Sequence, residues 1–522
     1  MKKVFAISIA LIVFSFQIAG AQQVVNVAPG LNTLVDAIAV ATSGDVFVLQ
    51  RNAGYAQQVL IDVNVPITVK AADGEGDLPI LVPAQAADGS WPGANFRLYA
   101  DITLENLAFT GIRVEGDRGA RVGSMFSMAA DDLRAVIDGC TFVGYGGRTL
   151  EPGRDGATLI VKNCIETGNG RSNRVDNGRF VDCRAASVDT IILQHCTLLN
   201  CADRWIRHMF EDASAQYILF DHNTFMNGTG YRPSFQFRNV KELYFTNNIV
   251  ANPSMLGTTQ AGIRKDELEY DRSEGVCTFT HAGADTSNQV MVFRNNNVWR
   301  DPRIDTILGG LDLANGDSVE IAPLFNSEIK SRINVDLAVF SEPLTFGHSP
   351  TIDSLLPELE IYVSGAKGYS HSAFIFRTDE HALGLDMNYG TTAQSYTAAD
   401  GGFPLGDLNW YPDKKAEWVT DVATKTTTPP LDFELLQNYP NPFNPQTNIA
   451  YHISRTADVS LVVFNILGQK IRTLINEQKM AGSYRLTWDG RDNAGKQLPG
   501  GIYFYQLKAG SYTATRKMIM AK

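Results

Sequence analysis

The residues whose types and spacing suit chemistry lie in the middle of the chain. Arg184, Arg204, Arg207, His208, Arg232, Arg238 and Lys241 crowd a short stretch that also holds the carboxylates Asp182, Glu211 and Asp212. Taking a proton from the carbon next to a carboxylate, the first step of a β-elimination, needs a base together with positive charge or Ca²⁺ to stabilise the enolate. An arginine or lysine flanked by other cations can be that base, because neighbouring positive charge lowers its pKa. Arg232, Arg238, Arg207, His208 and Lys241 are therefore the candidate catalytic residues. Asp182, Glu211 and Asp212 are the candidate ligands for Ca²⁺, although no ligand-loop pattern surrounds them. Against this stands the plainer alternative that lone arginines are solvated surface residues.

Groups spread over so many positions act together only if the fold stacks them, and a loose repeat does so. Between Ile102 and Val298 the pattern L-x-I-x-x-[N/C]-x-F recurs in seven windows: Ile102-Leu104-Leu107-Phe109, Ala135-Ile137-Cys140-Phe142, Leu159-Val161-Cys164, Ile191-Leu193-Cys196-Leu198, Ile218-Phe220-Asn223-Phe225, Leu243-Phe245-Asn248-Val250 and Met291-Phe293-Asn296-Val298. Alternation turns the aliphatic and aromatic side chains inward from a short strand, and the two-residue spacer before Asn or Cys marks a corner. Uneven spacing between windows suits solenoid coils that carry loops of different length. At ~4.8 Å per coil, Asn223, Asn248 and Asn296 fall above one another and can share amide hydrogen bonds, with Cys140, Cys164 and Cys196 continuing the file as small hydrophobes. The expected fold is all-β: a right-handed parallel β-helix over residues 22–302.

Other segments fit around that solenoid. Thr33 to about Ala41 reads as a short amphipathic helix that caps the open N-terminal end, where bare strand edges would otherwise be exposed. The nominally outward positions Ile160, Ile192, Leu219, Tyr244 and Val292 are apolar, so that wall needs a covering layer. Residues 303–423 are the expected cover. Thr424 to Pro430 is a Thr/Pro-rich linker. From 431 to 522, alternating runs such as Val459-Leu461-Val463 and Tyr484-Leu486-Trp488 between Gly/Asp/Asn turns describe a small Ig-like antiparallel β-sandwich.

The N-terminus carries Lys2-Lys3, an apolar run from Val4 to Ile18 and Ala19-Gly20-Ala21, which reads as a signal peptide over residues 1–21. That run is too short to span a bilayer, and no other stretch reaches 18 apolar residues. The expected location is therefore secreted or at the outer-membrane surface. With 522 residues and 44% hydrophobic content the chain can bury a large core, and a net charge of −11 argues against nucleic acid, whose phosphates require basic surfaces. An acidic protein still binds an acidic sugar through a local arginine cluster or bridging Ca²⁺. Six cysteines are too few for a disulfide scaffold in so long a chain and show no zinc-type spacing, so most are expected as buried thiols.

Two resemblances add to this reading. The run Gln437-Asn438-Tyr439-Pro440-Asn441-Pro442-Phe443-Asn444-Pro445, with Val463-Phe464-Asn465, Trp488-Asp489-Gly490-Arg491-Asp492, Gly500-Gly501-Ile502-Tyr503-Phe504-Tyr505 and Arg516-Lys517, resembles the C-terminal sorting domain read by the type IX secretion system of Bacteroidota-type bacteria. That resemblance implies export across the outer membrane through residues 431–522. The N-terminal cap, and the order of Asp221-His222-Asn223, Arg232-Pro233 to Arg238 and Asn247-Asn248, resemble β-helix polysaccharide lyases of the pectate-lyase type. In that comparison Arg232 and Arg238 would hold the arginine roles, although they stand six positions apart instead of five.

The function expected is therefore a lyase that cleaves an acidic, uronic-acid glycan by β-elimination, with an extracellular polysaccharide as partner. The competing reading is a non-catalytic surface β-helix that binds glycan or acts as a spacer. A polygalacturonase-like hydrolase ranks last, because it needs two or three positioned carboxylates and Asp131-Asp132 is the sole Asp-Asp pair in the expected solenoid.

Overall fold

A computed structural model describes residues 22–521 apart from 114–120, 171–177, 209–211, 231–232, 256–276, 283–288, 310–322, 350–351, 358, 360–383, 426–433, 436–437, 439–440, 444–445, 454–456, 467, 480–481, 494 and 511. The signal peptide expected over 1–21 thus lies outside the described residues, as does most of the linker; Thr424 and Lys425 end a helix that runs Pro412–Lys425.

Each window of the repeat forms two strands with a corner between them. Ile102–Glu105 and Ala108–Thr110 are one such pair, and Ala215–Asp221 and Thr224–Gly228 are another. The first strands of successive windows pair in parallel into a 10-stranded sheet, the second strands into an 11-stranded sheet, and the strands leading into each window into a third sheet of eight. Register runs straight from coil to coil, as in Leu104↔Ile137, Ile137↔Val161, Val161↔Leu193, Leu193↔Phe220 and Phe220↔Phe245. The architecture is a parallel β-helix, and one apolar cluster fills it from Val27 to Ala338.

The corner has a simple cause. The residue before each inward corner residue, Leu107 in the first window and Cys or Asn in the others, adopts a left-handed conformation: Asn106, Gly139, Asn163, His195, His222, Asn247 and Asn295 all have φ between 52° and 65°. Glycine carries no penalty there, and a short polar side chain bears it more easily than an aliphatic one. The next residue then drops into the shaft. Asn223 Nδ2 donates to Asn248 Oδ1 at 3.0 Å, and Asn248 Nδ2 to Asn296 Oδ1 at 3.1 Å, while each Oδ1 also accepts the backbone N–H of the coil before. Cys196 N–H donates to Asn223 Oδ1 at 3.0 Å, so the thiol file joins the amide file. All six cysteines are buried, and no disulfide joins them. A second amide file, not foreseen, links Asn252 to Asn227 and Asn227 to Asn200 at 3.0 Å each, on the next left-handed bend.

Both ends are closed. The helix Thr33–Ala39 buries Leu34 and Ile38 against the first coil. At the other end Phe325 packs against Phe279 and Phe293 at 5.3 and 5.4 Å, with Ile329 and Ala338 of two short helices beside it. The start of the expected cover is therefore a C-terminal cap.

The described remainder of that segment covers a different wall from the one expected. Met387, Tyr389, Ala399, Phe403, Leu405, Leu408 and Trp418 pack on Leu199, Met226, Ile249 and Ala251, the outer face of the second sheet. Polar bonds fix the match: Asp407 N–H donates to Thr224 Oγ1 at 3.0 Å, and Thr197 Oγ1 to Asp407 Oδ2 at 2.8 Å. Ile160, Ile192 and Leu219 on the first sheet are buried as expected, but in a separate cluster with Tyr217. The outward apolar row predicted a cover without showing which neighbour supplied it.

Residues 434–520 form a sandwich of a three-stranded and a four-stranded antiparallel sheet. Val459, Leu461 and Val463 point inward with Trp488, Tyr505 and Met518. The Asn/Pro run holds this sandwich closed: Phe443 is core, its N–H donates to Ile519 O at 3.0 Å, and Asn438 N–H donates to Tyr505 Oη at 2.8 Å.

Candidate functional site

The strands expected to carry the chemistry make up the third sheet, which runs through Ser124–Met128, Arg148–Glu151, Arg179–Arg184, Arg204–His208, Phe235–Arg238 and Phe279–Ala282. Phe126, Leu150, Val181, Ile206, Phe235 and Phe279 fill its inward column. The next residue on each strand therefore faces outward, which places Asp182 directly against Arg207 in register. Arg148, Arg179 and Arg204 are also in register on three successive strands.

These columns produce a dense charged cluster. Arg207 grips Asp182 with two bonds, Nε to Oδ1 at 2.7 Å and Nη2 to Oδ2 at 2.8 Å. Arg179 lies 3.4 Å from Asp182 and sends its Nε to Asp203 at 2.8 Å, where Arg204 approaches at 3.4 Å. Arg184 Nε meets Glu151 Oε1 at 2.5 Å, and Arg148 Nε meets Glu151 Oε2 at 3.2 Å. Five guanidinium groups thus face three carboxylates, and positive charge prevails. Asp182 and Asp203 are sealed, whereas the Arg184 side chain is 48% exposed and that of Arg148 28%. The cluster is buried at its root and open at Arg184.

Local backbone aims Arg184 outward. Register shifts between Asp182 and Arg184, and Arg184 takes φ of 51°, a left-handed conformation uncommon for a long side chain. Its N–H donates to Asp182 Oδ1 at 3.2 Å, which helps hold that bend.

Electrostatics follow burial first and neighbours second. Burial lowers the Arg148 pKa, with Glu151 opposing and Arg184 and Arg207 reinforcing the shift. Burial raises Glu151 despite the two arginines on it. Burial alone would also raise Asp182, but Arg207 and Arg179 outweigh it and hold the carboxyl below its usual range. Behind the cluster, Glu166 points into the shaft with bonds from Thr149 Oγ1 and from Asn169 Nδ2 at 3.0 Å, and burial pushes it up to about 8.

The candidates named from sequence divide among several places. Arg207 and Asp182 meet in the cluster. Arg238 ends the next strand of the same sheet, half-buried, and its backbone N–H lies 3.4 Å from His208 Nδ1. His208 is enclosed, with Nε2 3.3 Å from Ala186 O, and burial takes its pKa down to about 4. Lys241 belongs to the first sheet, around a corner from Arg207. Asp212 is exposed, and its carbonyl accepts from Ser187. Arg232 and Glu211 lie outside the described residues. Among the described residues no three His, Cys, Asp or Glu side chains gather as a metal site. Both oxygens of Asp182 are engaged by guanidinium groups, which leaves them poorly placed to bind a cation. Trp205 is packed between Phe225 and Phe235, Trp299 is buried under the cover, and Trp410 donates to Thr197, so each has a packing role.

Sequence reasoning passed over Arg148, Glu151, Arg179 and Asp203. The signal was present as Arg-x-x-Glu at 148, Arg-x-x-Asp at 179 and Arg-x-x-Arg at 204, one such pattern per coil. It is visible only once the coils are in register.

Residues 443–513 match the FlgD Ig-like domain family. Two solved structures of the PL6-family alginate lyase AlyGC, one of them a point mutant, are similar to this chain at 15% and 14% identity, with TM-scores of 0.38 and 0.30. Each comparison covers 54% of this chain and 40% of the other. PorZ, a surface component of the type IX secretion system of Porphyromonas gingivalis, is similar over 16% of this chain and 11% of its own, at 16% identity and a TM-score of 0.13. The chain thus spans less than half the length of each of these structures. No curated protein matches it.

Proposed function

We propose that this chain is a secreted or outer-membrane-surface protein that acts on an acidic polysaccharide, as a lyase cleaving a uronic-acid glycan by β-elimination. The observation that carries this reading is the arginine-rich cluster on the third sheet, in which positive charge exceeds negative and Arg184 opens to solvent. A sugar carboxylate is the ligand such a surface suits, since guanidinium groups bind carboxylates through paired, charge-assisted hydrogen bonds. Arg184 would hold that carboxylate and acidify the adjacent C–H. Arg148, whose burial favours the neutral form, would take the proton, and Arg207 would add positive charge from beneath. Arg238, at the end of the next strand, extends the proposed surface toward the following coil, and Arg232 remains a candidate by sequence alone. Ca²⁺ would serve as a further carboxylate clamp if the polymer itself supplies ligands.

A second reading is a non-catalytic glycan-binding surface protein. The observation favouring it is that Arg207 is committed to Asp182 by two short bonds and His208 is closed off, so two of the expected catalytic groups are already engaged. Mixing purified protein with pectate, alginate and chondroitin, with and without Ca²⁺, and following absorbance near the ultraviolet edge for new unsaturated ends separates the two. Appearance of that band on any of them supports the lyase; binding without it supports the second reading.

We also propose that residues 1–21 direct export from the cytoplasm and that 431–522 are read by the type IX secretion machinery. The ordered motifs from Asn438 to Lys517 support this. Deleting 431–522 should then retain the protein in the periplasm of a secreting host, and release at the normal level would refute the assignment.

A further inference from the structure

Where the covering segment meets the β-helix corner, an amine, an amide and a buried acid stand in line. Lys415, in the first turn of the helix Pro412–Lys425, places Nζ 2.5 Å from Asn409 Oδ1. Asn409 Nδ2 donates to Asp407 Oδ1 at 2.7 Å and to His195 O at 2.8 Å, so the amide plane is pinned on both sides. Asp407 is 2% exposed and takes a further hydrogen bond from Thr197 Oγ1 at 2.8 Å. Leu408 and Trp418 are buried beside this line, and the Trp418 ring meets His195 edge-on at 4.6 Å.

We propose that Lys415 and Asn409 form an intramolecular isopeptide bond, with Asp407 as the proton carrier. Lys415 first passes its extra proton to the Asp407 carboxylate, which leaves a neutral amine and a neutral acid. The Nζ lone pair then attacks Asn409 Cγ and moves the carbonyl electron pair onto Oδ1. Asp407 gives its proton to Nδ2, the Cγ–Nδ2 bond breaks, and ammonia departs as the carbonyl re-forms. The surplus proton on Nζ returns to Asp407. An amine and a primary amide become a secondary amide and ammonia, with no change of oxidation state and no co-reactant.

The surroundings favour the two neutral forms the first step needs. Burial pushes Asp407 up to about 7, and burial lowers Lys415 although Asp407 and Asp138 oppose it. A second amide, Asn163, also faces Nζ at 2.6 Å, but its Nδ2 donates to Asp138, which is only half-buried. The sealed acid beside the leaving nitrogen selects Asn409.

The test is intact mass of the purified full chain under denaturing conditions, followed by tryptic mapping. The mass should fall short of the sequence by one ammonia. Trypsin should cut after Lys414 but not after Lys415, and fragmentation should show a branch joining residues 409 and 415. Full mass with cleavage after Lys415 overturns the proposal, as does a succinimide at Asn409 or a branch at Asn163. Lys415→Arg should restore the full mass. Asp407→Asn should do the same, and an undiminished link in that variant overturns the role given to Asp407. The map of the unmodified sequence decides the bond even where a variant fails to fold.

Discussion

Arg207 holds Asp182 through two parallel hydrogen bonds, 2.7 and 2.8 Å long, across neighbouring coils of the third sheet, with the carboxylate completely shielded from solvent. Such a pair costs much to half-remove, because the remaining charge stays buried without its partner. Asp182→Ala should destabilise the protein by about 3–5 kcal/mol, measured by urea unfolding. A loss under about 1 kcal/mol would mean that the pair behaves like a surface one and that the cluster is wetter than its burial indicates.

Glycan binding should depend on the open rim of the cluster more than on its root. Arg184→Ala should weaken binding to the preferred uronic-acid polymer by ten-fold or more, roughly 1.4 kcal/mol or above, with little change in melting temperature because that side chain is half-exposed. Affinity electrophoresis in gels containing the polymer would measure this. Unchanged mobility would move the ligand surface elsewhere.

The amide file should behave as one unit. Asn248 accepts from the Asn223 backbone and side chain and donates to Phe220 O and toward Asn296. Asn248→Ala strands several buried donors and acceptors, at about 1–3 kcal/mol each. Hydrogen exchange at the 223, 248 and 296 amides should accelerate together. Acceleration confined to residue 248 would show that the coils are held by packing alone.

Glu166 sets a pH dependence with a definite sign. In the native shaft it keeps its proton up to about 8, whereas the unfolded chain releases it near 4.5. Its contribution is therefore complete below about 4.5 and is lost as pH rises toward 8, at up to about 1.4 kcal/mol per pH unit. Asp407 acts in the same direction over a lower range, from 3.8 to about 7. Glu166→Gln should flatten the stability profile between pH 5 and 8 relative to the parent, by about one proton's worth of slope. A Glu166→Gln profile that runs parallel to the parent across this interval would refute the assignment.

Much of the solenoid was legible because its signal is periodic. Leu104, Ile137, Val161, Leu193, Phe220 and Phe245 recur at one phase, and the Asn/Cys position after them marks the corner. The left-handed residue preceding that position was not legible: Asn, Gly and His all occupy it, and their shared property is a backbone angle. The cover illustrates another limit. Ile160, Ile192 and Leu219 announce that something lies over them, but Met387 and Phe403 chose the second sheet through shape and through the Asp407–Thr197 and Asp407–Thr224 bonds. For the charged cluster, Arg207 stood out among its basic neighbours, whereas Arg148 and Glu151 looked like ordinary surface residues until parallel register set them beside Arg184 and Asp182. Local pattern reports which way a side chain points, and long-range register decides whom it meets.

The bend shared by Asn106, Gly139, Asn163, His195, His222, Asn247 and Asn295 has an evolutionary consequence. Since these seven storeys turn the same way at the same place, excising the stretch from one bend to the next would bring together ends that already head in matching directions. Height can thus change by whole floors while the floor plan stays constant, so length in this lineage is free to drift by duplication and deletion without redesign of the cross-section.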